Sequence, residues 1–465
     1  MTNGITVFGE CVWLSSGWME NVAIKIDPIG TITDIETNAK YESSLMARLP
    51  GPAIPGMPNL HSHAHQRAMS GLSEFRASGP GGEDSFWTWR DVMHRFAEVL
   101  SPEILEAVAT QLYVEMVKAG YTAVGEFHYI HHGPNGVAYD DPSEMSMALI
   151  RAATWAGIGI TLLPVLYENG GYAGKPANAG QRRFISTPDQ LLDIINAVET
   201  IHKADPQVRV GFAPHSPRQV TPEGMKAVFD GVTAMSADAP IHIHVAEQEK
   251  DVTESVEFTG KRPVEWVLEN FDVGTRWCLI HATHLIESEI SALATSGAVA
   301  GLCPVTEANL GDGIFPLIPY LEQGGRIGIG SDSHNSVSII EELRLLEYGQ
   351  RLIKRRRNLA APGPGGSTGV RLYADSLKGG AQACGRPIGE ISKGKRADFV
   401  VLDSAHPNLI DRSKDNLIDS MIFSGNTPKF QEVWIGGKRQ VANGRHVREQ
   451  DTLDTYSNVI RGLDF

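Results

Sequence analysis

The stretch PGMPNLHSHAHQRA, residues 55–68, sets histidines at positions 61, 63 and 65 directly after an apolar run. Alternate residues of a strand face the same side, so the imidazoles of His61 and His63 can converge on one point, such as a metal ion. The motif alone is a weak signal, because sixteen histidines in 465 residues yield about half of one H-x-H triplet by accident. The rest of the chain decides what it means.

Seven further β-type runs follow the one at 54–63, at 121–129, 157–167, 207–216, 239–247, 276–283, 297–306 and 326–332. Helix-like segments separate most of them. SPEILEAVATQLYVEMVKAG from Ser101 and TPDQLLDIINAVETIHKA from Thr187 both open on a Ser/Thr-Pro start signal, and the first stops at Gly120. Eight strands with helical crossovers predict an α/β fold, a (β/α)8 barrel over 54–384; a doubly wound open sheet is the other architecture this alternation allows. Residues 1–53 and 385–465 read as short strands broken by Gly, Pro and Asn, and predict one small composite β domain, sandwich-like, built from both ends. The loop APGPGGSTG at 361–369 and the segment 70–100 are candidate lids by length and glycine content.

The totals exclude several function classes. A net charge of −14 speaks against nucleic acid or an anionic membrane as partner, and any anionic substrate would need locally placed arginines. The four cysteines, Cys11, Cys278, Cys303 and Cys384, are scattered without a C-x-x-C pair, as in a reduced cytoplasmic protein. The beginning MTNGITVFGECVWL has no basic, apolar leader pattern, and no apolar stretch is long enough to span a bilayer. A cytoplasmic location is expected. Closed homodimers being the commonest assembly, a homodimer is the default expectation.

In a barrel the C-terminal strand ends line the active-site face, and here the ionisable residues fall on those ends. Run one ends in His61-Ser62-His63, and run two carries Glu126, His128 and Tyr129. Run four ends in His215 and Arg218, run five in His244 and Glu247, run six in His281, and run eight in Asp332. His61 and His63 are the expected ligands. His244 is preferred to His242, which lies two residues deeper and suits packing, and His281 to His284, which lies past the strand end. His65 is read as solvated or as a support behind the ligands. His94, His202, His406 and His446 are read as isolated surface residues, and His131-His132 as a solvent-facing loop pair. Neutral imidazoles plus one carboxylate suit one divalent ion, foremost Zn²⁺, which lowers the pKa of bound water to about 7. Runs three and four hold no lysine to bridge a second ion, so one ion is expected.

H-S-H at the first strand end, a later H-x-x-E, a further His and then S-D-S resemble the amidohydrolase superfamily in its single-metal deaminase branch. GMPNLHSHAHQRAMSGL, FWTWRDVMHRF, GEFHYIHH, APHSPR, HVAEQ, CPVTEANLGDGIFP and SDSHNSVSIIEELRLLEYGQRL sharpen the likeness, over nearly the whole chain, to members that deiminate N-formimino-L-glutamate. The resemblance implies metal ligands at His61, His63, His244 and Asp332. It implies proton handling by Glu247, His281 and Asp332, and substrate contacts by Gln66, Arg90, Tyr129, His215 and Arg218. One departure is His65, where an aromatic residue is expected; it bears on how Gln66 packs. Formiminoglutamate carries two carboxylates, and Arg218 at the mouth of run four and Arg90 in the loop FWTWRD after run one can each pair with one, or serve structural ion pairs instead.

The expected reaction is hydrolysis to N-formyl-L-glutamate and ammonia. Asp332 and His281 take the proton of the attacking water, and Glu247 protonates the imino nitrogen. An aminohydrolase acting on a nucleobase or another aminated heterocycle would use the same core, and Phe86, Trp87 and Trp89 leave room for it. An inactive barrel serving as a scaffold would be expected to lack ligands that are all present here.

Overall fold

A computed structural model describes residues 4–75, 84–426 and 429–463. Eight parallel strands form the central barrel: β1 (Met57–Ser62), β2 (Tyr121–His128), β3 (Gly159–Leu166), β4 (split into Val208–Val210 and Ala213–Pro214), β5 (Ile241–Val245), β6 (Trp277–His281), β7 (Val299–Leu302) and β8 (Arg326–Ile329). Every residue of β2 and β3 is buried, which is why these strands read as near-continuous apolar runs rather than alternating ones. The open-sheet alternative is set aside by closure. Parallel pairing runs from β1 to β4 and again from β5 to β8, and two bridges join the halves, Phe212 to Ile241 and Ser62 to Asp332.

The start signals work as capping chemistry. The Ser101 hydroxyl accepts from the Ile104 amide at 3.2 Å to open helix Pro102–Lys118, and Thr187 does the same for Gln190 at 3.3 Å to open Pro188–His202. Gly120 follows the first helix at φ 92°, a left-handed turn that favours glycine.

The barrel floor is filled by Leu60. A Cβ on Gly301 would lie 2.9 Å from a Leu60 methyl, and one on Gly328 only 2.4 Å, so β7 and β8 carry glycine where β1 carries its plug. Helix Thr368–Ala383 packs across this end, and its Ala383 carbonyl meets His242 Nε2 at 2.8 Å.

Strands from both ends of the chain share one nine-stranded sheet. Ile5–Leu14, paired with Gly17–Ile26, is joined through Ala53–Pro55 to Phe399–Leu402, and onward to Phe430–Ile435 and Lys438–Ala442. Its core is Val7, Val12, Val22, Ile24, Phe399, Val401 and Trp434. The last 80 residues are less purely β than their sequence suggests. They include helices Asp415–Phe423 and Glu449–Arg461, the latter packed on Pro102–Lys118.

Run four shrinks to two short pieces separated at 211–212, and run seven to four residues, because helix Pro304–Leu310 starts directly after it. Residues 76–83 of the 70–100 lid candidate lie outside the described residues. Among the described residues no helix is long and apolar enough to cross a membrane.

Candidate active site

Barrel closure itself assembles the first cluster. At the Ser62–Asp332 bridge the Asp332 amide donates to the His61 carbonyl at 3.0 Å, and the His63 amide donates to the Asp332 carbonyl at 3.1 Å. The side chains follow. Asp332 Oδ1 lies 3.5 Å from His61 Nε2 and 3.4 Å from His63 Nε2, and His244 Nε2 lies 3.0 Å from His61 Nε2.

The outer ring nitrogens explain what the inner ones offer. His63 Nδ1 meets the Phe127 carbonyl at 2.9 Å, and His244 Nδ1 meets the His215 carbonyl at 3.1 Å. A carbonyl only accepts, so both Nδ1 atoms carry protons and both Nε2 atoms present lone pairs. Burial, reinforced by the neighbouring imidazoles, pushes His61 and His244 well below the ordinary histidine range, and burial also lowers His63. The lone pairs of His63 and His244 thus gather with the Asp332 carboxylate beside His61 Nε2, in a ring whose Nδ1 has no partner among the described residues. A divalent cation fits this donor set.

A second cluster adjoins it. His281 Nε2 stands 3.6 Å from Glu247 Oε1 and 3.7 Å from Asp332 Oδ2, while its Nδ1 meets Glu307 Oε1 at 3.2 Å. Burial opposes a charge on His281, but Glu247, Glu307 and Asp332 by themselves outweigh it and raise the imidazole to about 10; a divalent cation held beside it by Asp332 would oppose that pull and favour the neutral ring. Burial raises the Glu247 carboxyl, against the pull of His281. Asp312 is pushed up to about 9 by burial and by Glu247 beside it, and accepts from the Gln248 side-chain Nε2.

Backbone strain marks the same places. Ala246, His281, Ala282, Asp332 and His334 all have positive φ, from 47° to 67°, at the ends of β5, β6 and β8. Non-glycine residues in this region are held there by their surroundings, and such positions concentrate at functional sites.

One pocket receives the remaining predicted residues: Gln66, Arg90, Tyr129, His215 and Arg218 line it together with His63, His244, Glu247, His281 and Asp332. Tyr129 ties the wall together, its hydroxyl 3.1 Å from both Gln66 Nε2 and His65 Nε2. His65 is therefore buried rather than solvated, and takes its place through Tyr129. Arg90 stands on helix Phe86–Glu98, not in a loop, because Ser85 and Thr88 form a capping box that starts the helix just before it. Its Nε is buried without a partner among the described residues, and its guanidinium lies 4.5 Å from the Trp87 ring centre. Arg218 is ion-paired with Asp251 and hydrogen-bonds Gln219 at 3.2 Å through Nε.

Three histidines expected at the surface are buried. His131 reaches the Val165 carbonyl at 3.0 Å, His446 the Ala156 carbonyl at 3.0 Å, and His94 packs on Phe184 at the pocket wall. A backbone carbonyl from a distant strand or helix holds one ring nitrogen of each of the first two, which no local pattern signals.

Glu307 and Asp312 were missed. Both lie in CPVTEANLGDGIFP, matched as a whole without a role for either. Glu307 directly follows run seven, so the strand-end rule that picked out the other mouth residues points to it as well.

Comparison with known proteins follows the same geometry. A model of the amidohydrolase family matches residues 53–439. Formimidoylglutamate deiminase of Pseudomonas aeruginosa is 48% identical over 457 residues, covering 98% of this chain and 99% of that protein. A crystal structure of an amidohydrolase from Brucella melitensis superposes with a TM-score of 0.92 at 44% identity, over 98% of this chain and 99% of the other. An adenosine deaminase from Xanthomonas campestris, solved with bound zinc, shares the fold at a TM-score of 0.80 and 20% identity, over 99% of both chains.

Proposed function

From the premise that the chain belongs to the amidohydrolase family, we propose that it is a metal-dependent hydrolase that converts N-formimino-L-glutamate and water to N-formyl-L-glutamate and ammonia. The observation that carries this reading is a single pocket in which two guanidiniums, Arg90 and Arg218, share walls with Glu247, His281 and the His–Asp cluster. A substrate with two carboxylates and one hydrolysable C=N bond matches both halves of that lining. End-to-end similarity to a protein named formimidoylglutamate deiminase supports the same substrate.

His61, His63, His244 and Asp332 would hold one divalent ion, with zinc favoured by the imidazole-rich donor set. Such an ion, when bound, supplies a nucleophilic water at neutral pH. The protein's own groups do the rest. Arg90 and Arg218 grip the carboxylates, while Gln66, Tyr129 and His215 shape the wall against which the formimino arm lies. His281 Nε2 and Asp332 Oδ2 face each other and accept the proton of the attacking water. Glu247, whose carboxyl burial favours the protonated form, gives its proton to the imino nitrogen and later helps it leave as ammonia.

The test is ammonia release from N-formimino-L-glutamate by metal-loaded protein, with guanine and cytosine alongside. A kcat/KM of about 10⁴ M⁻¹s⁻¹ or more for formiminoglutamate alone is expected. Turnover of a heterocycle instead would keep the hydrolytic site and overturn the substrate.

A further inference from the structure

Glu307 lies in the first turn of the short helix Pro304–Leu310 and is 4% exposed. One oxygen, Oε1, receives two donors: the Cys303 amide at 2.9 Å and His281 Nδ1 at 3.2 Å. An ionised carboxylate can only accept, so the second contact requires the proton on Nδ1. Nε2 of a neutral His281 is then the bare nitrogen, and it is the one that stands 3.6 Å from Glu247 Oε1 and 3.7 Å from Asp332 Oδ2. The ring hangs from a backbone at φ 67°, followed by Ala282 at φ 47°, so its aim is fixed at both the main-chain and the side-chain end. A residue whose only task was to cap the helix would need the Cys303 amide alone.

We propose that Glu307 is a positioning residue for the hydrolytic step, holding His281 in the Nδ1–H tautomer with Nε2 free to take the proton of the attacking water. The identity of that step rests on the deiminase reading above. In it the water oxygen bonds to the formimino carbon and its proton passes to His281 Nε2. The C=N electron pair moves onto nitrogen, which is protonated by Glu247. Glu307 keeps its charge throughout and exchanges no proton, as the carboxylate of a nucleophile–histidine–carboxylate triad does in acyl transfer.

Two measurements on the full-length, metal-loaded protein test this. In the ammonia assay, Glu307→Ala is expected to lower kcat about 10–100-fold, with KM within about twofold and metal content unchanged. Glu307→Gln, whose amide oxygen still accepts both donors, is expected to recover most of that loss. In a His281→Ala background, adding Glu307→Ala is expected to change nothing further. An equal loss in both backgrounds, or an unchanged kcat in Glu307→Ala, would overturn the proposal.

The second measurement does not need turnover, nor a folded Glu307 variant. ¹⁵N-histidine spectra of the wild type, with His281 assigned by its absence in His281→Ala, are expected to show a protonated Nδ1 and a bare Nε2. The opposite tautomer would overturn the proposal. Wild-type protein that shows the expected tautomer yet releases no ammonia from N-formimino-L-glutamate would sink the substrate reading while leaving Glu307 its role.

Discussion

His242 and His244 sit two residues apart on β5, point the same way, and do different things. His242, toward the floor, meets the Ala383 carbonyl of the helix that covers that end; His244, at the mouth, faces His61 Nε2 and the pocket. The difference extends to the whole barrel. Its floor is closed by Leu60, fitted between Gly301 and Gly328, and its mouth is left open to a polar cluster under backbone strain. Residue type and strand parity are identical at the two levels, so what the strand end faces decides whether a histidine packs or presents a lone pair.

The sharpest test of this contrast is Glu247→Gln. It should lower kcat on the order of 10²–10⁴-fold by removing the acid, with the thermal midpoint nearly unmoved; a large fall in the midpoint would mean that the mouth is also a structural layer. The reciprocal change, Leu60→Ala, should cost about 2–5 kcal/mol in urea unfolding by emptying the floor, with KM and metal content as in the wild type. Metal loss in that variant would show that the floor holds the mouth in register.

Arg90→Met removes one guanidinium and keeps the apolar stem against Trp87. Losing a charge-assisted pair worth about 1.5–3 kcal/mol lowers kcat/KM for formiminoglutamate roughly 10–100-fold. The same variant should barely change stability, because Arg90 has no buried carboxylate to strand among the described residues. Arg218 is different in kind, since its removal would leave Asp251 unpaired in a buried site.

An effect that leaves the chemistry untouched concerns a buried histidine outside the pocket lining. Burial lowers His131 to about 4, with the Val165 carbonyl pulling the other way. Its folded pKa thus lies below the unfolded value of about 6.5, and the unfolded chain takes up the proton first. The stability this residue contributes is complete above pH 6.5 and is lost as pH falls toward 4, at up to about 1.4 kcal/mol per pH unit. His131→Gln, which keeps an N–H for Val165 and cannot charge, should flatten that acid limb in denaturation measured from pH 7 to 4. Coincident limbs would mean that His131 is charged in the folded protein.

What the sequence made legible follows the same division. Strand ends are local, so His61, His63, His244, Glu247, His281 and Asp332 could be picked from runs of apolar residues and what terminates them. The structure brings all six together. Contacts between distant segments left no such mark. Nothing near His131 announces the Val165 carbonyl, and nothing near His65 announces the Tyr129 hydroxyl. Arg90 was placed in a loop because its helix starts on Ser85 after a glycine-rich stretch, with aromatic residues that carry little helical signal. Glu307 follows the apolar residues of run seven directly, and a carboxylate in that place is as local a signal as the others.

The composite sheet also puts the molecule on a clock. Ala53–Pro55 is hydrogen-bonded to Phe399–Leu402, a partner nearly 350 positions further along the chain. During synthesis at about 5–20 residues per second, that edge waits roughly 20–70 s for its partner to emerge. The hairpin Ile5–Leu14/Gly17–Ile26 can form within the first moments and be flanked at once by Ile32–Glu36 on one side and Ala47–Arg48 and Ala53 on the other, yet Ala53–Pro55 presents an unpaired edge through the whole making of the barrel. The ribosome-bound intermediate is thus a barrel under construction with an open strand beside it, a natural point for a chaperone to hold and for crowded nascent chains to stick.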